Sequence, residues 1–339
     1  MSDIFSLSSY DYKLPQDLIA TAPTMPKEEA RLLVYDRQKD SVFHLKFKNL
    51  SEILPECAII FNDTKVIKAR IYGHKDSGAE IQMLLNQPLQ NSLFSCYIRG
   101  KVKVGTKLKF DLGVEAEVLE LKDDSSRIVK FKKNEQILNT SEIYNILSHI
   151  GHVPLPPYIK REDTPDDEIW YQSIFAKNEG AVAAPTASLH FNDQMLDDLN
   201  KTHDISYITL HVGAGTFKGV EHCDIREHKM HSEFYCIYKK AKNIIDSDIK
   251  LLGVGTTVTR CIEYYYRTKQ PKGFCDLFLH PDNKPLRQDF LLTNFHLPKS
   301  TLIMLVASFI GLEKTMEIYK QAVENRYKFY SYGDGMLII

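Results

Sequence analysis

Between Lys65 and Lys133 the chain breaks into six short runs, several of which alternate apolar and polar residues, and this pattern limits the fold more than any other. The runs are 69–73, 79–85, 94–98, 107–110, 114–121 and 127–132, divided by turn signals such as Lys75-Asp-Ser-Gly and Lys122-Asp-Asp-Ser. A period of two over four to eight residues is the mark of a half-buried strand. Strands this short, at this spacing, predict a small antiparallel barrel or sandwich.

The same segment is the basic part of the chain. It holds 14 Lys and Arg against 8 Asp and Glu, a net of +6, while residues 1–64 carry −3 and residues 134–339 carry −4. The whole chain sums to −1, which excludes a protein that grips nucleic acid over its entire surface. A local basic face remains open. Its cations are interleaved with Phe94, Tyr97, Phe110 and Phe131, a mixture suited to phosphate contact and base stacking. The plainer reading is a solvated strand face whose lysines protect the edges.

Beyond the segment, Asn139-Thr-Ser-Glu predicts a capped helix start, with Ile143, Ile146, Leu147 and Ile150 on one face and Gly151 at the end. His152-Val-Pro-Leu-Pro-Pro-Tyr-Ile cannot be helical and reads as an extended linker. The remainder alternates strands and helices. Strands are predicted at 207–212, 251–254, 273–279 and 291–295, with helices from about Asn192, Val258 and Pro298 and a last helix presenting Met316, Tyr319, Val323 and Tyr327. A length of 339 residues suits two domains. The expected fold class is therefore α/β: a discontinuous domain over residues 1–65 and 152–339, an inserted antiparallel β-barrel domain over 66–151, and a cleft between them.

The longest apolar run is 302–310, far short of the ~20 residues a spanning helix needs. The N-terminus lacks the basic and apolar blocks of a secretory signal. Six scattered cysteines without a C-x-x-C pair read as reduced thiols, mostly core filler. A soluble cytoplasmic protein is expected.

Four polar, small-residue segments are candidates for chemistry. Gly180-Ala-Val-Ala-Ala-Pro-Thr-Ala-Ser-Leu-His-Phe would let backbone approach a ligand closely around Pro185 and Thr186. In Leu210-His-Val-Gly-Ala-Gly-Thr-Phe, Gly213 and Gly215 follow a strand, but the residues from Lys218 onward lack the helical period of a dinucleotide fingerprint. In the third, His222, His228, His231 and Glu233 crowd a stretch that suits acid–base work, though the spacing matches no metalloprotease or zinc-finger pattern. The fourth is a pair of strand-to-helix junctions, Thr256, Thr257 and Arg260 with Asn294, His296, Lys299, Ser300 and Thr301. Free N–H groups there favour an anion, although Thr and Ser also cap helices.

Together with Ile60-Phe-Asn-Asp-Thr-Lys-Val-Ile-Lys-Ala-Arg, the linker, Gly255-Thr-Thr and Tyr332-Gly-Asp-Gly-Met-Leu, these segments resemble the S-adenosylmethionine:tRNA ribosyltransferase-isomerase family of queuosine biosynthesis. The matches run collinearly from near residue 14 to the C-terminus. Ser188 stands where the family usually has Gly, and Gly335 where Ala is more typical. Val258, Thr259 and Cys261 depart from the usual wording around Arg260.

The resemblance implies transfer of the ribosyl part of S-adenosylmethionine to 7-aminomethyl-7-deazaguanine at the tRNA wobble position. Rearrangement gives epoxyqueuosine and releases adenine and methionine. It implies a monomer, with no metal or cofactor, because S-adenosylmethionine is consumed. Candidate acid–base groups are His190 and His231, then His228 and His211, with His296 a further proton-handling candidate. Candidate substrate contacts are Asn62, Asp63, Thr64, Arg70, Pro185, Thr186, Gly213, Gly215, Thr216, Glu233, Thr256, Thr257, Arg260, Asn294, His296, Lys299, Ser300 and Thr301. Arg99, Lys101, Lys103, Lys107 and Lys109 are the candidate tRNA contacts. Two other readings compete: a non-catalytic RNA-binding protein, and a metal-dependent hydrolase built on the His222–Glu233 cluster.

Overall fold

The computed structural model describes residues 3–217 and 219–339; Met1, Ser2 and Lys218 lie outside them. The strands form two large sheets. One runs in the order Arg127–Lys133, Leu93–Arg99, Glu80–Pro88, Arg70–Lys75, Lys107–Phe110, Val114–Leu121, antiparallel throughout. Its last strand pairs back with its first, so the sheet closes into a barrel. Closure removes the exposed edges that short strands otherwise leave.

Alternation decides what fills the barrel. Val114, Ala116 and Val118 point inward while Glu115 points out, and Leu108 and Phe110 point inward while Lys107 and Lys109 point out. Phe94, Phe110 and Phe131 are 1%, 6% and 1% exposed and pack ring against ring inside. This corrects the expectation that these rings face bases. A small barrel has an interior that large side chains must fill, and of the four rings Tyr97 alone is partly exposed.

The helix Thr140–Ile150 closes onto this core through Ile143 and Leu147. Its capping box is present: Asn139 Oδ1 accepts from the Glu142 N–H at 3.0 Å, and Glu142 Oε2 accepts from the Asn139 N–H at 2.8 Å.

The second sheet has nine strands, in the order Lys272–Cys275, Glu233–Ile237, Ile205–Leu210, Ala58–Asn62, Leu251–Val254, Phe290–Asn294, Gly335–Ile338, Arg31–Asp36, Ser41–Lys46. Ala58–Asn62 precedes the barrel in sequence yet pairs in parallel with Ile205–Leu210 and Leu251–Val254, which follow it. The central strands are buried on both faces and read as continuous apolar runs. The helix Thr256–Thr268 covers one face through Val258, Cys261 and Ile262, and Asp193–Asn200 covers the other through Met195 and Leu199. The helices Thr301–Ile310 and Leu312–Glu324 bury a third cluster with Phe295 and Phe329.

Two helix starts differ from expectation. Thr256–Thr268 begins directly after Gly255, whose φ of +92° turns the chain within a single residue. Thr301–Ile310 leaves Pro298 outside, because Lys299 at φ +58° interrupts the helical path and Ser300 becomes the cap. All six cysteines are free, and Cys57, Cys96, Cys261 and Cys275 are buried. Among the described residues no helix is long and apolar enough to cross a membrane.

Candidate functional site

A cavity of about 420 Å³ opens where Leu251–Val254 and Phe290–Asn294 end. The carboxyl ends of parallel strands are where α/β proteins place their ligands. Its wall brings together Pro185, Thr186, Thr216, Thr256, Thr257, Asn294, His296, Lys299, Ser300 and Thr301 from four separate segments. Thr186 Oγ1 donates to Asn294 Oδ1 at 2.9 Å. His296 Nε2 lies 2.9 Å from Thr293 Oγ1, and burial pushes its pKa down to about 3, so the ring is neutral. Lys299 is paired with Asp11 at 2.7 Å.

The two helix starts on this wall are not equivalent. Ser300 caps Thr301–Ile310 by accepting from the Ile303 N–H at 3.4 Å. Thr256–Thr268 has Gly255 as its N-cap, and no side chain among the described residues takes its first N–H groups. The free positive end of a helix therefore faces the cavity at Thr256 and Thr257. Tyr158 and Tyr330 supply an aromatic wall, their ring centroids 3.9 Å apart. Sequence reasoning misses both. Tyr158 sits in the proline-rich linker, whose Val153, Leu155 and Ile159 are core residues, so nothing in the sequence separates it from a packing residue.

The turn at Gly213–Thr216 separates this cavity from a groove of about 890 Å³. Ser95 and Tyr97 of the barrel form one side, and His211, Gly213, Gly215, His231 and Glu233 the other. His211 Nδ1 lies 2.8 Å from Thr64 Oγ1, which leaves Nε2 for the groove. Burial lowers the His211 pKa, with Asp63 opposing, and the ring is neutral near pH 7. At Gly215 a Cβ would stand 2.5 Å from the His231 ring, so only glycine lets that ring pack here. A single short turn, Ala214–Phe217, follows, in keeping with the absence of a dinucleotide fingerprint.

Other candidates stand behind these walls. Arg260 is buried and donates to Glu233 Oε2 at 2.5 Å and to the carbonyls of Leu277, His231 and Cys275. Asn62 Oδ1 accepts from the N–H groups of Thr64 and Leu210, and Asp63 Oδ1 accepts from Thr209 Oγ1 at 2.5 Å. Arg70 donates to the Leu155 carbonyl. These groups hold the ends of strands in place.

His190 lines neither space. Its ring stacks on Phe47 at 4.0 Å, its Nε2 meets Asn294 Nδ2 at 3.2 Å, and burial, with Lys27 adding, pushes its pKa down to about 3. His228 lies against Phe278 and also lines neither. His222 pairs with Glu227 at 3.3 Å, and among the described residues no group of three His, Cys, Asp or Glu side chains gathers to hold a metal. Arg99, Lys101, Lys103, Lys107 and Lys109 are exposed on the barrel. Register places Gln82 opposite Arg99 and Gln87 opposite Ser95, so this basic loop sits roughly 13 Å along the strand from the groove.

Fold and site together define an α/β enzyme with a cavity at the ends of its parallel strands and a groove against an antiparallel barrel. The chain belongs to the queuosine biosynthesis protein family, which matches residues 7–338. It is 99% identical over its full length, and that of its relative, to the S-adenosylmethionine:tRNA ribosyltransferase-isomerase of Campylobacter fetus subsp. fetus. It is 64% identical, again over both full lengths, to the protein of that name from Campylobacter concisus. A solved S-adenosylmethionine tRNA ribosyltransferase from Thermotoga maritima shares 31% identity, covers 98% of this chain and 100% of its own, and superposes with a TM-score of 0.54.

Proposed function

We propose that the enzyme moves the ribosyl part of S-adenosylmethionine onto the aminomethyl group of 7-aminomethyl-7-deazaguanine at the wobble position of tRNA. The ribose is rearranged to the epoxycyclopentanediol of epoxyqueuosine, and adenine and methionine depart. The observation that carries this reading is the pair of adjoining spaces divided by one turn, Gly213–Thr216, with a different chemistry on each side.

The smaller cavity suits S-adenosylmethionine. Thr256 and Thr257 offer free N–H groups to its carboxylate, and Tyr158 and Tyr330 offer ring faces to adenine. The groove beside the barrel suits the modified base. Three proton-handling tasks follow from the reaction: removal of an acidic proton beside the sulfonium, protonation of departing adenine, and supply of the amine in its neutral form. His211, neutral and oriented by Thr64, is the preferred base, and His231 stands beside it on the groove. His190 holds Asn294 and through it Thr186, so it is a positioning residue in this scheme.

S-adenosylmethionine is a substrate, so the scheme calls on no resident metal or redox cofactor. Incubation with S-adenosylmethionine and tRNA carrying the deazaguanine precursor should release adenine, and release should stop when that tRNA is withheld. No adenine with competent tRNA would defeat the assignment.

A further inference from the structure

We propose that the sheet edge beneath the groove is a stacking platform for an unpaired base of the RNA loop, with Phe274 as its exposed ring. The inference rests on the functional reading above and adds where the RNA is held.

Two neighbouring strands, and the residue that follows a third, build the platform. Register sets Phe234 opposite Phe274, and the His211 N–H donates to the Phe234 carbonyl at 2.9 Å. His211, Phe234 and Phe274 therefore form one cross-strand row on one face. His211 and Phe234 lie nearly parallel, 5.8 Å apart at 19°, and Phe274 stands across Phe234 at 5.8 Å and 75°. All three line the groove.

Phe274 is 54% exposed on a four-residue edge strand, where a large bare ring is otherwise a liability. Lys272 shares its face, with its Nζ 5.6 Å from the centre of the Phe234 ring, and can meet a phosphate. Opposite, Asn86, Gln87 and Ser95 offer amide and hydroxyl groups to base edges. Rings on a sheet with a cation beside them and polar groups across a groove are the chemistry of single-stranded RNA recognition. A protein partner would have less use for hydrogen-bonding groups spread along the far wall.

The test compares wild type with Phe274→Ala, Phe274→Leu and Phe274→Trp. Binding of an anticodon stem-loop RNA carrying the precursor base is read by fluorescence anisotropy, and S-adenosylmethionine binding by calorimetry. Phe274→Ala should weaken RNA binding roughly 5- to 100-fold, Phe274→Leu should restore little, and Phe274→Trp should restore most of it. S-adenosylmethionine affinity should stay unchanged in all three, which shows that the fold is intact. RNA binding within twofold of wild type in Phe274→Ala would overturn the platform and leave the functional reading standing. Full rescue by Leu would overturn it too, because an apolar contact, not stacking, would then be at work. A wild-type protein that binds no such RNA would remove the functional reading and the platform together.

Discussion

Arg260 and Glu233 form a buried ion pair, Nη1 to Oε2 at 2.5 Å, with 7% and 5% of their side chains exposed. The pair ties the helix Thr256–Thr268 to the strand Glu233–Ile237, and Glu233 Oε1 also accepts from the Gly213 N–H at 2.9 Å. The start of that helix faces the smaller cavity while Glu233 faces the groove, so one ion pair braces both. Removing one partner leaves the other charge buried without its counter-ion. Arg260→Met should therefore cost about 3–5 kcal/mol, and adding Glu233→Leu should recover part of that. Thermal unfolding of the single and double variants measures this. A single variant as stable as wild type would show that the pair braces nothing.

Two buried histidines make folding sensitive to acid. His190 and His296 are both held near a pKa of about 3 by burial, against an ordinary value of 6.5. Between those values the unfolded chain binds protons that the folded chain does not. Their contribution is thus complete above pH 6.5 and is lost as the pH falls toward 3, by about 1.4 kcal/mol per pH unit for each group. Denaturation midpoints measured from pH 7 to pH 5 should fall, and His190→Phe should flatten the slope. A slope unchanged by that substitution would contradict the burial argument.

For catalysis the sign is the same. As the proposed base His211 would have to be neutral, and burial lowers its pKa below the ordinary value. Turnover should hold at neutral pH and fall on the acid side as the ring becomes protonated. His211→Ala should lower turnover roughly 100-fold or more while S-adenosylmethionine still binds. Thr64→Val, which removes the orienting oxygen 2.8 Å from Nδ1, should lower kcat less and shift the acid limb of the pH profile.

The basic loop of the barrel gives a separate prediction. Neutralising Lys101, Lys103 and Lys107 should weaken tRNA binding and reduce its salt dependence, by roughly 0.7–0.9 in the log–log slope for each phosphate that is no longer neutralised. Lys109, paired with Asp76 at 2.9 Å, should matter less. An unchanged slope would return these lysines to the role of a solvated face.

The barrel is legible in the sequence because a period of two survives in several of its short strands, most clearly Lys107–Phe110 and Val114–Leu121. Alternation alone does not say which set of side chains faces in, so the interleaving of rings with cations suggests surface aromatics where Phe94, Phe110 and Phe131 in fact fill the core. The loops that wall the cavity are legible as small residues at strand ends, and the structure gathers Thr186, Thr257, Asn294 and Thr301 on one wall. His190 is legible as a polar group in a functional motif, but its stacking on Phe47 depends on tertiary packing. Tyr158 with Tyr330, and Phe234 with Phe274, meet only through folding and through the register of edge strands.

The central claim is the transfer itself. Mass spectrometry of nucleosides from tRNA incubated with the enzyme and S-adenosylmethionine tests it most directly. The account predicts that the 7-aminomethyl-7-deazaguanosine signal is replaced by that of epoxyqueuosine. An unchanged precursor signal, under conditions where the enzyme binds both substrates, would contradict it.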